Sequence, residues 1–149
     1  MKVKDSSPQF FELYKLYVEL TDKVSQRRGQ ANMFFLSILS TFIGLTGFLY
    51  LSLHSGTFYQ ASAIFMVCIF GILMCVVWYF TINSYKQLNK IRFTVIEEME
   101  QYLVFNCYSR EWQLLKEKKL KYHRLSRIEK FVPLLFMIPF IFFIIINII

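Results

Sequence analysis

Hydrophobic and polar positions alternate along this chain on a coarse scale, as long uncharged apolar runs separated by charged segments. Residues 33–53, 59–82 and 131–149 hold no Asp, Glu, Lys or Arg. Each approaches the ~20 residues that cross a hydrocarbon core at ~1.5 Å per residue. Three transmembrane helices are therefore expected, in an all-α integral membrane protein. The expected order is a cytoplasmic amphipathic helix over 1–30, a first span over 31–53, an extracytoplasmic loop over 54–58, a second span over 59–82, a cytoplasmic helical segment over 83–130 and a third span over 131–149.

A finer period marks the flanks. Ser7-Pro8 is a helix-start pair, a capping hydroxyl and a ring whose fixed φ suits the first turn. Phe10, Leu13, Tyr14, Tyr17, Val18 and Val24 then recur at steps of three and four, with charges of both signs between them. That pattern is an amphipathic helix, and its mixed charge favours packing on protein over lying on lipid. Arg27-Arg28-Gly29-Gln30-Ala31-Asn32 marks entry into the bilayer, where Gly29 allows a bend. Beyond the second span, Leu88, Ile91, Val95, Met99 and Tyr102 continue the helical period, and this apolar face needs a partner. Asn106 to Ser109 breaks the pattern, with Ser109 the expected cap of a short helix bearing Trp112 and Leu115. Ser126 and Glu129 have capping-box spacing at the start of the third span.

Inside the spans the residue types differ. Ser37, Ser40, Thr41, Gly44 and Gly47 form a small, weakly polar stripe on the first, and Ala61, Cys68, Gly71 and Cys75 form one on the second. Small residues at such spacing let helix backbones approach closely in lipid. Either the two stripes pack on each other within one chain, or one faces neighbouring copies or a central pore. The third span, bulky and interrupted by Pro139, is expected to face lipid and to kink.

Composition confirms the class. A chain of 149 residues that is 56% hydrophobic and 19% aromatic has too much apolar surface for a small soluble domain. The net charge of +7 would suit nucleic acid, but its placement says otherwise: six of the 17 Lys and Arg lie in residues 1–30 and eleven in 83–130. By the positive-inside rule both termini of that pattern agree, N-terminus cytoplasmic and C-terminus extracytoplasmic. Arg27, Arg28, Lys116, Lys118, Lys119, Lys121, Arg124, Arg127 and Lys130 are expected at the interface with anionic lipids. With Asn32 and Trp112 they are also the candidates for contact with a cytoplasmic protein partner. No nucleic-acid motif accompanies the charge. The first thirty residues lack the apolar core of a cleavable signal peptide.

Catalytic chemistry is not expected. The spans hold no ionisable carboxylate or amine, and no nucleophile elbow, P-loop, Gly-rich dinucleotide turn or H-E-x-x-H occurs. Cys68, Cys75 and Cys107 offer neither a disulfide framework nor metal spacing, and His54 and His123 fall on opposite sides of the bilayer. Glu97, Glu98 and Glu100 point in different directions on one helix, as a solvated face would. No cofactor or metal is expected. The two charged segments make a layer of roughly eighty residues, near the lower limit for an independent core, so burial between copies in a cyclic homo-oligomer is expected.

The string Arg27-Arg28-Gly29-Gln30-Ala31-Asn32-Met33-Phe34-Phe35 is similar to the entry segment of bacterial SLATT-type small membrane proteins. Tyr108-Ser109-Arg110-Glu111-Trp112 and Ser126-Arg127-Ile128-Glu129-Lys130-Phe131-Val132-Pro133 more closely resemble the RipA family of octameric membrane proteins. The resemblance implies a bacterial inner-membrane protein that assembles as an octameric ring, channel-like or membrane-perturbing. The alternative is a non-conducting scaffold whose cytoplasmic helices recruit protein or anionic lipid. SLATT proteins have two spans, and the third expected here departs from them.

Overall fold

The computed structural model describes residues 7–52, 58–103, 105–117 and 128–148. Every regular element among them is a helix: α1 over Pro8–Ser52, α2 over Phe58–Glu100, α3 over Cys107–Glu117 and α4 over Phe131–Ile148. Helix α1 starts where the Ser-Pro pair predicts, with the Phe10 N–H donating to Ser7 Oγ at 3.3 Å. It then runs without a break through Gly29. An added Cβ there would meet nothing within 4 Å, so glycine is not required by close packing. At 45 residues, α1 is about 68 Å long at ~1.5 Å per residue, more than twice a ~30 Å hydrocarbon core. Helix α2, with 43 residues, is nearly as long.

Hydroxyl side chains inside these helices turn back to their own backbone. Thr46 Oγ1 donates to the Phe42 carbonyl at 2.7 Å and Thr81 Oγ1 to that of Val77 at 2.8 Å. Each thereby satisfies its donor without leaving the helix, the condition for placing a hydroxyl in apolar surroundings.

The chain divides into two compact units, Met1–Arg28 with Ser84–Arg124 and Gly29–Asn83 with Leu125–Ile149. In the second, apolar unit, Phe35 and Leu39 of α1, Ile64, Cys68, Cys75, Trp78 and Ile82 of α2 and Phe140 of α4 form one buried cluster. In the first, charged unit, Thr21, Val24, Ile96 and Glu100 are buried.

Among the described residues, two helices are long and apolar enough to cross a membrane, Pro8–Leu51 and Ala61–Glu100. Only 17% and 28% of their most apolar windows is buried within the chain, whereas the core helix of a soluble protein would be mostly covered. Helix α4 adds a shorter apolar stretch, Phe131–Ile146. It does not face outward all round as its composition suggests: Pro133 and Phe140 are fully buried, while Leu135, Ile138 and Phe142 on its other side are exposed.

Candidate functional site

In the apolar unit, α1 and α2 meet through a row other than the small-residue stripe. Phe35 stacks on Trp78 with ring centroids 5.7 Å apart and planes 12° from parallel, and the indole also takes an edge-to-face contact from Phe136 of α4. An indole N–H buried in such a setting must find an acceptor. Trp78 Nε1 donates to Asn32 Oδ1 at 2.9 Å. Nearby, Lys130 Nζ donates to Asn83 Oδ1 at 2.6 Å and lies 5.7 Å from the centroid of the Tyr79 ring. An amide oxygen and a π-face thus hold that cation.

The two predicted stripes occupy different environments. Ser37, Ser40, Thr41 and Gly44 are exposed on the outside of the single chain, and Gly47 is half-buried. Ser37 Oγ donates to the Met33 carbonyl and Thr41 Oγ1 to that of Ser37, both at 2.9 Å. With the protons turned inward, the oxygen lone pairs remain on the outer face. Cys68, Gly71 and Cys75 of α2 are instead buried, with Ala61 half-buried. Gly71 is occupied from α4, since a Cβ built there would fall 2.5 Å from Phe140 Cζ. The α2 stripe thus lies among Phe35 and Leu39 of α1 and Phe140 of α4, whereas the α1 stripe stays on the outside of the chain.

The charged unit is organised by a residue that the sequence suggests is solvated. Glu100 is fully buried, whereas Glu98 is exposed and Glu97 half-buried. Its Oε1 accepts from the Tyr14 hydroxyl at 3.2 Å and from the Tyr108 N–H at 2.9 Å, and its Oε2 accepts from the Ser109 N–H at 3.2 Å. A helix begins with N–H groups that have no partner in the helix and a partial positive charge, both of which a carboxylate satisfies. Glu100 therefore caps α3, and Ser109, which sits inside the first turn as a donor, does not. The Asn106 carbonyl accepts the first helical bond, from Arg110 N–H at 3.0 Å. Burial, with the adjacent charge and hydrogen bond of Glu100, pushes the Tyr14 hydroxyl far above the ordinary tyrosine value of 10.0. Burial first, then the charges of Asp22, Glu111 and Glu100, pushes Tyr108 in the same direction.

The remaining sequence candidates are scattered. Arg27 is exposed and Arg28 and Asn32 are half-buried. Helix α3 carries Trp112 and Lys116, whose side chains lie outside the described residues, as do Lys118, Lys119, Lys121, Arg124, Arg127 and the capping-box Ser126. His54 and His123 also lie outside them. Cys68 and Cys75 are buried free thiols and Cys107 is an exposed one. Among the described residues no group of His, Cys, Asp and Glu is arranged to hold a metal ion. What the geometry provides is a pair of structural polar nodes, Asn32–Trp78 and Tyr14–Glu100–α3, and a weakly polar outer face on α1.

The model of the Octameric membrane protein family (8xMP) fits residues 11–149. No curated protein and no solved structure matches the chain.

Proposed function

The chain belongs to the octameric membrane protein family, and from that premise we propose that it works as a channel-like ring of eight identical subunits in a bacterial inner membrane. In this reading α1, α2 and α4 each cross the bilayer, with the N-terminus cytoplasmic and the C-terminus outside. The distribution of all 17 Lys and Arg supports that orientation. Helix α4, with 18 residues, is about 27 Å long, which a modest local thinning of the bilayer accommodates. The closer likeness to the RipA branch is part of the same proposal. No enzymatic step is included, for want of ionisable groups in the spans.

The observation that carries the channel-like role is the outer face of α1. Ser37, Ser40, Thr41 and Gly44 interrupt a helix whose other outward positions, such as Phe34 and Phe48, are large and apolar. Around a central axis that face would present hydroxyl oxygens whose protons are already given to the backbone. Such a lining passes small ions and favours cations over anions, without sharp selectivity, because no ring of charge constricts it. Purified protein in planar bilayers should give currents that Ser40→Leu reduces. Silence from the intact oligomer, or currents indifferent to that substitution, would remove the channel role.

A second reading is a non-conducting scaffold that recruits a cytoplasmic protein or anionic lipid. The exposed Leu88 and Ile91 in the charged unit favour it, and the same recordings separate the two.

A further inference from the structure

Within the charged unit, α1 buries Thr21 and Val24 and half-buries Tyr14 and Tyr17 on the same face, and α2 buries Ile96 and Glu100. Arg92 Nη1 donates to the Leu20 carbonyl at 2.8 Å, which ties the two helices side by side at that level. Helix α3 lies to one side of the pair, where Glu100 receives its first N–H groups and Phe93 meets Tyr108 edge to face at 5.9 Å. The opposite side has a different character. Leu13, Leu16 and Leu20, at steps of three and four on α1, are 54%, 52% and 38% exposed, and Leu88 and Ile91 on α2 are 40% and 62% exposed.

Such a row outside the apolar spans requires an occupant. Glu12, Glu19 and Lys23 border it on α1 and Glu98 borders it on α2, all exposed. With Arg92, which is four residues from Leu88 and bonded to the Leu20 carbonyl, three carboxylates stand beside two cations; a border of both signs suits a protein of mixed charge better than an anionic lipid surface. The family is one of octamers, so a second copy is at hand. A ring of more than two subunits that all face the same way cannot pair a surface with itself; each copy must offer two different ones. The second is present on the α3 side, where Phe11, Phe105 and Leu114 are exposed and Arg110 and Glu117 form a surface ion pair at 3.8 Å.

Resting on the ring reading above, we propose that the face built by Leu13, Leu16, Leu20, Leu88 and Ile91 packs on the α3 side of the neighbouring subunit, in a head-to-tail contact repeated around the octamer. The exposed leucines are then the interface core, and the flanking charges its rim.

Thiol cross-linking of the full-length protein in native membranes tests this. In a Cys107→Ser background, the combination Leu16→Cys with Leu114→Cys should give a ladder of products up to eight subunits with a bismaleimide. Either substitution alone should leave the chain monomeric on a denaturing gel. A dimer from Leu16→Cys alone would show the face meeting itself and overturn the proposal. So would a product containing a different protein, or no product from the double variant while native mass spectrometry of the same preparation counts eight copies. That last result places the interface elsewhere and leaves the ring standing, whereas a single copy by mass would remove the ring as well. As a second arm, Leu16→Glu with Leu20→Glu should lower the mass from eight copies to one with helical circular dichroism unchanged. Persistence of the octamer in that variant would overturn the assignment independently.

Discussion

Phe140 of α4 points its ring end-on at Gly71 of α2, with Cζ, Cε1 and Cε2 all within 2.7 Å of where a β-carbon would stand. The glycine is therefore the seat of the only aromatic ring that α4 buries completely among the described residues. Gly71→Ala should destabilise the apolar unit by about 1–3 kcal/mol, the usual cost of overpacking a filled site. Phe140→Leu, which shortens the intruding group, should recover part of that loss in the double variant. Thermal unfolding in detergent of the four proteins reads both the loss and the non-additivity; simple additivity would show that the two residues do not share a contact.

The Asn32–Trp78 bond gives a second expectation. Asn32→Ala leaves the indole N–H without its acceptor in an apolar interior, at a cost of about 1–2 kcal/mol. The figure stays modest because helices separated in lipid also find partners for their polar groups. Indole fluorescence should shift with the substitution; a spectrum unchanged from the wild type would show that Asn32 is not the acceptor of the Trp78 N–H.

Glu100 separates a cap from a solvated charge. Glu100→Gln keeps one acceptor oxygen but replaces the other with a donor that faces the N–H groups of α3. It should cost about 1–3 kcal/mol, the range for a hydrogen bond to a charged group. Glu98→Gln, at an exposed position on the same turn, should cost less than about 0.5 kcal/mol. Hydrogen exchange at the amides of Tyr108 and Ser109 reports directly on the cap: it should accelerate in the first variant and not in the second.

The same node sets an alkaline limit. Tyr14 and Tyr108 hold their protons more tightly when folded, because burial and nearby negative charge oppose the phenolate. Their contribution is complete below the ordinary value of 10.0 and is lost as pH rises through the raised folded values. Stability should therefore fall above about pH 10, and the absorbance of Tyr14 and Tyr108 should titrate late. Tyr14→Phe should remove one late component and flatten the alkaline fall. Loss of an ordinary component in place of a late one would show that Tyr14 is not held by Glu100.

Much of the architecture is legible from residues taken singly or in short windows. Uncharged runs announce the apolar helices, and Ser7-Pro8 announces the start of α1, because both signals are local. Glu100 is not legible in this way: beside Glu97 and Glu98 it reads as one more surface charge, and only Tyr14, 86 positions earlier, and the start of α3 give it a buried role. Asn32 is visible as a polar residue at the edge of a span, yet its partner is 46 positions away. A signal for it exists in Trp78, whose N–H inside an uncharged run must have an acceptor. The outer stripe of α1 and the buried stripe of α2 look alike in sequence, since small residues serve close packing and exposed faces equally, and only the bulk of Phe140 distinguishes Gly71. Whether Gly29 answers to close packing likewise depends on what surrounds it, and an added Cβ there would meet nothing within 4 Å.

Eight copies of this chain are proposed to close into a ring through the membrane. Projection images of the intact particle in mild detergent, averaged along the membrane normal, test it most directly. An eightfold ring with α1 nearest the axis is expected; particles the size of one subunit, or averages without rotational symmetry, would contradict it.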